Sequence, residues 1–333
     1  MKVLLTGANG HVGANTARAL LKRGHEVVAF VRASSDLRGL EGLDVAYAHG
    51  DVTDGSALAA AAQGCDAIVH TAAIYRYWSK NPAEIEAVTL EGAQNIVAAA
   101  AAAGVKRLVY TSSSWAIGLA DTPDRPRTAA DWNEQPHTPY ARAKTFGERK
   151  AWELADQAGV PMVALCPGAI MGALDYRITP SNRILLGMAD GSGQSFDSGL
   201  ALADARDVGA IHALAVDHGA PGMRYAITQN ITFKELGVQV TALTGRPVKH
   251  FGAPKPIARL VAGIMELGAA FTGKEPALTR ALIDDAAGRY MYIDSTATWQ
   301  AFGHQPYPIP ETVRASLQWY VTLGLLPPDS IKR

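Results

Sequence analysis

The sequence predicts an α/β fold, a doubly wound parallel sheet with a smaller, irregular C-terminal lobe. Three observations carry that expectation. Short apolar runs alternate with helical stretches through the first half of the chain. Those runs are apolar throughout, as strands are when helices cover both faces of a sheet. The 333 residues are 48% hydrophobic and 19% charged, a balance suited to a large folded core.

The elements follow in order. Residues 3–5 form a first strand, closed by Thr6 and Gly7. A helix comes next, with Ala14, Ala17, Leu20 and Leu21 on one face and Gly24 as its stop. Residues 25–31 and 44–48 read as the second and third strands, and 57–63 as a short helix. The fourth strand is 67–70; a long helix over 84–103 then ends at Gly104 and leads into a fifth strand, 107–111. Thr138 suits the N-cap, and Pro139 the first position, of a helix running to residue 158. Residues 162–166 make a sixth strand. Beyond Pro167 the pattern loosens: 187–199 is rich in Gly, Ser and Asp, 204–216 returns to helix, and 256–269 and 311–323 are helical pieces in a tail rich in Pro and Gly. Residues 1–170, with 200–230 returning to them, are expected to form the first lobe. Residues 171–199 and 231–333 form the second, over the open edge of the sheet.

Composition excludes several classes. Lys and Arg number 31, as do Asp and Glu, so there is no basic surplus to bind nucleic acid. Cys65 and Cys166 cannot build a disulfide framework or a cysteine-rich metal site. The nine histidines show no metal-ligand spacing, so no metal is expected. The first residues lack the pattern of a signal peptide, and no apolar run reaches the ~18 residues of a membrane span. The expected location is cytoplasmic, with no membrane partner.

Gly7-Ala8-Asn9-Gly10-His11-Val12-Gly13 lies between the first strand and the first helix. Gly7 permits a tight turn, Gly10 lets the backbone approach a pyrophosphate, and Gly13 lets the helix pack close to the strand. The helix N-terminus then offers N–H groups and partial positive charge to phosphates. In that Rossmann-type context Asn9, His11 and Val12 join the glycines as cofactor-binding residues. Cofactor choice is read at the end of the second strand, where a carboxylate selects NAD and an arginine accommodates NADP. Here Arg32 stands there, followed by Ser34 and Ser35, and the first carboxylate, Asp36, comes four residues later. NADP is therefore expected ahead of NAD.

A Ser–Tyr–Lys set supplies the chemistry. Ser112, Ser113 and Ser114 follow the fifth strand, while Tyr140 and Lys144 are one helical turn apart and share a face. A phenol with pKa near ~10 is a poor acid–base group at neutral pH, and a nearby ammonium lowers that value. Tyr140 then exchanges a proton with a carbonyl or alcohol oxygen, Ser113 holds that oxygen, and Lys144 also reaches the nicotinamide ribose.

With these residues goes a longer set. It comprises Gly50-Asp51-Val52-Thr53-Asp54, Gly64 and Asp66 leading to His70-Thr71-Ala72-Ala73, Val109 through Ser113, and Asp131-Trp132-Asn133. It continues with Glu148, Pro167-Gly168, Gly172, Asp204 through Val208, and Trp319-Tyr320. On this set the chain resembles an extended short-chain dehydrogenase/reductase of the NAD-dependent epimerase/dehydratase superfamily. It is similar to dihydroflavonol 4-reductases and related aldehyde or ketone reductases. The resemblance implies that Asp51 and Val52 contact the adenine, that Thr71, Ala72 and Ala73 line the cofactor, and that Pro167, Gly168 and Ile170 lie near the nicotinamide. It also places Ser113 at the catalytic position. Thr89, ahead of Gly92, stands where relatives often carry an asparagine.

The substrate pocket is expected beside the nicotinamide, outside the carboxyl ends of the strands. Tyr75, Trp78, Trp115 and Met171 are the expected wall, with Tyr176 and Ile178 nearby. Such a wall suits a small apolar or aromatic carbonyl compound or alcohol. The alternatives are a nucleotide-sugar epimerase or dehydratase, with Arg177 and Arg183 toward a diphosphate, and a non-catalytic NADP-sensing regulator. The intact Tyr–Lys pair disfavours the regulator. Monomer and homodimer both remain open, the latter through the helices at 84–103 and 138–158.

Overall fold

The computed structural model describes residues 1–73, 82–250, 252, 254–272, 279–286 and 289–332. The first lobe starts with β1 (Lys2–Thr6), α1 (His11–Lys22), β2 (Glu26–Val31), β3 (Ala46–His49), α2 (Gly55–Ala62) and β4 (Ala67–His70). It continues with α3 (Pro82–Ala103), β5 (Arg107–Thr111), α4 (Ser114–Ile117), the two-residue β6 (Arg127–Thr128), α5 (Pro139–Gln157) and β7 (Met162–Pro167). Then follow β8 (Ala169–Met171), α6 (Pro180–Asp190), β9 (Gln194–Ser195), β10 (Gly199–Asp204), α7 (Ala205–His218), β11 (Arg224–Ile227), β12 (Gln229–Thr232) and α8 (Phe233–Thr244). The chain closes with β13 (Lys249–His250), α9 (Lys255–Thr272), α10 (Arg280–Ala286), β14 (Ile293–Asp294), α11 (Thr296–Phe302) and α12 (Ile309–Thr322).

Seven strands form the central sheet in the order β11-β7-β5-β4-β1-β2-β3, and every pairing in it is parallel. Side chains alternate across it, so each strand feeds two cores. Val3, Leu5, Val69 and Val109 pack with Ala17 and Leu20 of α1 and Val208 and Ile211 of α7. Leu4, Ile68, Leu108 and Tyr110 face the other way, onto Leu58 of α2, Ile96 of α3 and Ala151 of α5. Helices thus cover both faces, which explains the unbroken apolar strands.

The order of strands reverses at β1, which pairs with β2 on one side and β4 on the other. In such sheets the crevice outside the carboxyl ends at this switch point is the ligand site. Here those ends are Thr6-Gly7 and His70-Thr71.

After Pro167 the chain is more ordered than the sequence reading expects. β8, β10 and β12 make a second, three-stranded sheet. Its core holds Met171, Leu185, Leu202, Leu236, Val313 and Tyr320. Tyr320 Oη donates to Asn182 Oδ1 at 2.6 Å, fixing α12 to α6. Asp204 caps α7 by accepting from Arg206 N at 2.8 Å.

Candidate active site

One cavity of about 1630 Å³ opens at the switch point and runs into the second lobe. The glycine loop forms one wall. Gly7 has φ +67°, and a Cβ there would lie 2.7 Å from Ala72 N. A Cβ on Gly13 would lie 2.1 Å from Gly7 O, so α1 starts where only a glycine fits. Gly10 is the N-cap of α1 and brings no side chain to its first turn. The loop is shaped for a phosphate group against a helix N-terminus.

Asn9, His11 and Val12 line this wall. Asn9 Nδ2 donates to Asp36 O at 3.2 Å, tying the loop to the end of β2. His11 is buried, with a ring nitrogen 3.9 Å from Asp175 Oδ2. Burial lowers its pKa against the pull of that carboxylate.

Arg32, Asp51 and Val52 border the same cavity. The Arg32 guanidinium is 59% exposed and lies 4.0 Å from Asp51 Oδ2, open to an incoming anion. Asp36 is engaged elsewhere. Arg38 Nε and Nη2 grip its carboxylate at 3.0 and 2.6 Å. Those hydrogen bonds hold its pKa down at about 2. Arg38 in turn lies over the Tyr176 ring, 4.7 Å from its centroid.

The Ser–Tyr–Lys set meets the same cavity: Ser113, Tyr140 and Lys144 all line it. Ser113 Oγ caps the short α4, accepting from Trp115 N at 3.2 Å. Ser112 is committed elsewhere, its hydroxyl donating to Glu148 Oε2. Tyr140 and Lys144 are buried on α5, which Thr138 caps through Ala141 N at 3.1 Å. Lys144 Nζ donates to Thr111 O at 3.0 Å. Burial pushes its pKa down to about 8, with the Glu148 carboxylate opposing.

Two neutral imidazoles flank these groups. His70 Nδ1 lies 2.8 Å from Thr6 Oγ1, and its ring stacks on Tyr110. Burial, then the Lys144 charge, push its pKa to about 3. His212 donates through Nδ1 to Val208 O at 2.7 Å and meets Thr111 Oγ1 at 2.8 Å, with burial pushing its pKa to about 4.

Behind the Ser–Tyr–Lys set lies a largely buried ion pair that sequence reading missed. Arg224 Nε donates to Glu148 Oε1 at 2.6 Å and Arg224 Nη2 to Oε2 at 3.1 Å. Trp152 Nε1 donates to the same carboxylate at 3.1 Å. Arg224 Nη1 holds the carbonyls of Ala129 and Asp131 at 2.7 and 2.6 Å, and the guanidinium lies 3.8 Å from the Trp132 ring centroid. Glu148 was visible as part of a motif; its partner sits on β11, and no local pattern announces it.

Thr71, Ala72, Ala73, Pro167, Gly168, Ile170 and Trp115 also border the cavity. Thr71 Oγ1 donates to Thr6 O at 2.7 Å, pinning the ends of β1 and β4 together. Thr89 donates to Ile85 O at 2.7 Å, a bond within its own helix. Tyr75 and Trp78 lie outside the described residues. Met171 corrects the expectation for the substrate wall. It is 0% exposed in the core of the second lobe, because neighbours on a strand point opposite ways and Ile170 takes the cavity side. Phe196, Leu200, Val261 and Met265 line the cavity and were not anticipated. The segment before α6 is strained, with Leu174 at φ 71° and Ile178 at φ 49°. Asp175 holds it by accepting from Thr179 N and Asn182 Nδ2 at 2.7 and 2.8 Å.

Residues 3–228 match the model of the NAD dependent epimerase/dehydratase family. The chain belongs to that family. It is 35% identical over 271 residues to sterol demethylase protein B of Methylococcus capsulatus, covering 79% of this chain and 80% of that one. It is 31% identical to a putative dihydroflavonol 4-reductase of a Synechocystis species, covering 96% and 94%. The solved structure of gox2253 superposes with a TM-score of 0.84 at 29% identity, over 97% of this chain and 99% of the other. Family and neighbours place the chain among the extended short-chain dehydrogenases/reductases, whose work is oxidoreduction with a nicotinamide cofactor. Among the described residues no helix is long and apolar enough to cross a membrane, and no group of three or more His, Cys, Asp or Glu side chains is placed to hold a metal ion.

Proposed function

We propose that this protein is an NADP(H)-dependent oxidoreductase that interconverts a carbonyl and an alcohol on a small apolar or aromatic molecule. The observation that carries this reading is the meeting of Ser113, Tyr140 and Lys144 on the cavity that the glycine loop also lines. NADP is favoured because Arg32 stands open at the cavity edge while Arg38 occupies Asp36. Gly7, Asn9, Gly10, His11, Val12 and Gly13 would hold the pyrophosphate, with Asp51 and Val52 at the adenine and Thr71, Ala72 and Ala73 along the dinucleotide. Pro167, Gly168 and Ile170 would border the nicotinamide.

When bound, the nicotinamide supplies or accepts hydride at the substrate carbon. The side chains do the rest. The Ser113 hydroxyl donates to the substrate oxygen and fixes its position. Tyr140 gives its phenolic proton to that oxygen during reduction and takes one from the alcohol during oxidation. The Lys144 ammonium stabilises the phenolate that proton transfer leaves behind. General acid–base work of this kind contributes about 10²–10⁴-fold to a rate.

One observation supports a second reading. Arg177 and Arg183 border the same cavity, as a diphosphate-bearing sugar nucleotide would require. NADPH consumption against a panel of aldehydes and ketones, with UDP- and GDP-sugars as the contrast, decides between them. Turnover of carbonyl compounds with net NADPH loss supports the reductase. Conversion of a sugar nucleotide without net cofactor loss refutes it.

A further inference from the structure

The second-lobe end of the cavity is large and apolar. Ligand sites usually occupy about 300–1000 Å³, and this cavity exceeds that range. The dinucleotide accounts for the end at the glycine loop. The other end is walled by Phe196, Leu200, Ile257, Val261, Met265 and Ile283. Phe196 is braced by Phe233, with ring centroids 4.5 Å apart. The charged residues that also border the cavity here, Arg183, Asp197 and Lys255, are exposed and mark its mouth.

α9 supplies one side of this chamber with a single stripe. Ile257, Val261 and Met265 are spaced four apart, one above another on the same helical face. Two ion pairs hold the helix to α10, Arg259 Nη1 to Asp284 Oδ1 at 3.3 Å and Arg280 Nε to Glu266 Oε2 at 2.7 Å. Ile283 of α10 completes the wall. Val261 is 36% exposed and Met265 38% exposed. Apolar surface that faces a cavity and stays wet is surface a ligand gains by covering.

We propose that the substrate carries a long or polycyclic apolar body behind its carbonyl group, and that the α9 stripe sets how much of it the enzyme accepts. The proposal rests on the reductase reading and narrows its substrate class. A molecule with its carbonyl between Ser113 and Tyr140 lays its tail along Phe196 and Met265. A compact polar substrate leaves that wall uncovered and gains nothing from it.

Two measurements test this on the full chain with NADPH. The first is kcat/KM for the straight-chain aldehydes from butanal to decanal. Each methylene buried on the wall is worth about a fourfold gain, so decanal should exceed butanal by at least ~100-fold. Met265→Asp should flatten that rise to less than ~10-fold, and Met265→Leu should restore it. Met265 is partly wet, and thermal melts of both variants verify that they fold. The second measurement is calorimetric titration of decan-2-ol into the protein with NADPH present, a pair that cannot exchange hydride, where binding with a negative heat-capacity change is expected. Reduction of butanal with no gain toward decanal overturns the proposal and leaves the reductase reading intact. So does a rise in kcat/KM that Met265→Asp does not alter. Binding of decan-2-ol without reduction of any aldehyde supports the chamber and overturns the reductase reading.

Discussion

Replacing Arg224 with methionine tests the scaffold under the Ser–Tyr–Lys set. Glu148 is fully buried and the Arg224 side chain is 9% exposed, so little of the pair meets bulk water. Arg224→Met keeps the stem but leaves a buried carboxylate without its cation. Ser112 Oγ and Trp152 Nε1 still donate to it, and neither carries charge. Breaking one side of a buried pair costs about 3–5 kcal/mol, more than the ~1 kcal/mol of a typical neutral hydrogen bond. The double variant Arg224→Met/Glu148→Leu removes the stranded charge together with its partner, and should recover at least ~2 kcal/mol of the loss. Equilibrium urea unfolding, followed in parallel by tryptophan fluorescence and circular dichroism, measures both. A loss under ~1 kcal/mol in the single variant, or additive losses in the double, would falsify the view that this pair is buried and coupled.

Three further outcomes follow from the geometry. Arg32→Asp should lower the NADPH-to-NADH ratio of kcat/KM by roughly 10–100-fold, the worth of a charge-assisted contact; an unchanged ratio removes Arg32 as the phosphate reader. Stability should fall with acid because the buried His212 and His70 have pKa values of about 4 and about 3, below the ordinary 6.5. The unfolded chain then binds more protons, so their contribution is complete above pH ~6.5 and is lost progressively below it. His212→Gln should reduce that slope by up to ~1.4 kcal/mol per pH unit between about pH 6 and 4.5, and a slope equal to wild type counts against the assignment. The third concerns Lys144, whose pKa is pushed down to about 8. Above that pH the ammonium is lost, so the rate of reduction should decline, and Lys144→Met should abolish this limb of the kcat profile; a limb that persists belongs to another group.

Much of the first lobe was legible because its signals are local. The glycine loop, the Thr138–Pro139 cap and the four-residue step from Tyr140 to Lys144 each specify geometry within a few residues. The switch point follows from strand order, and parallel strands linked by helices leave few alternatives. Distance along the chain hid the rest. Arg224 meets Glu148 across 76 positions, and neither flank of Arg224 distinguishes it from a surface arginine. β8 and β12 are three and four residues long, too short for a periodic signal, and β10 is wholly buried and shows no alternation. The Met171 expectation failed on parity: one step along β8 exchanges cavity for core. A helix at 256–269 was expected, but its stripe of Ile257, Val261 and Met265 was not singled out, because apolar spacing alone does not separate a core face from a ligand wall; the cavity does.

Tyr140→Phe is the most direct test of the proposed chemistry, because it removes one oxygen and keeps the ring that α5 buries. In this variant kcat should fall by about 10²–10⁴-fold while the Kd for NADPH, measured by fluorescence titration, stays within about threefold of wild type. A variant that binds NADPH equally well and keeps more than about a tenth of the wild-type kcat would contradict it, since the proton would then come from another group.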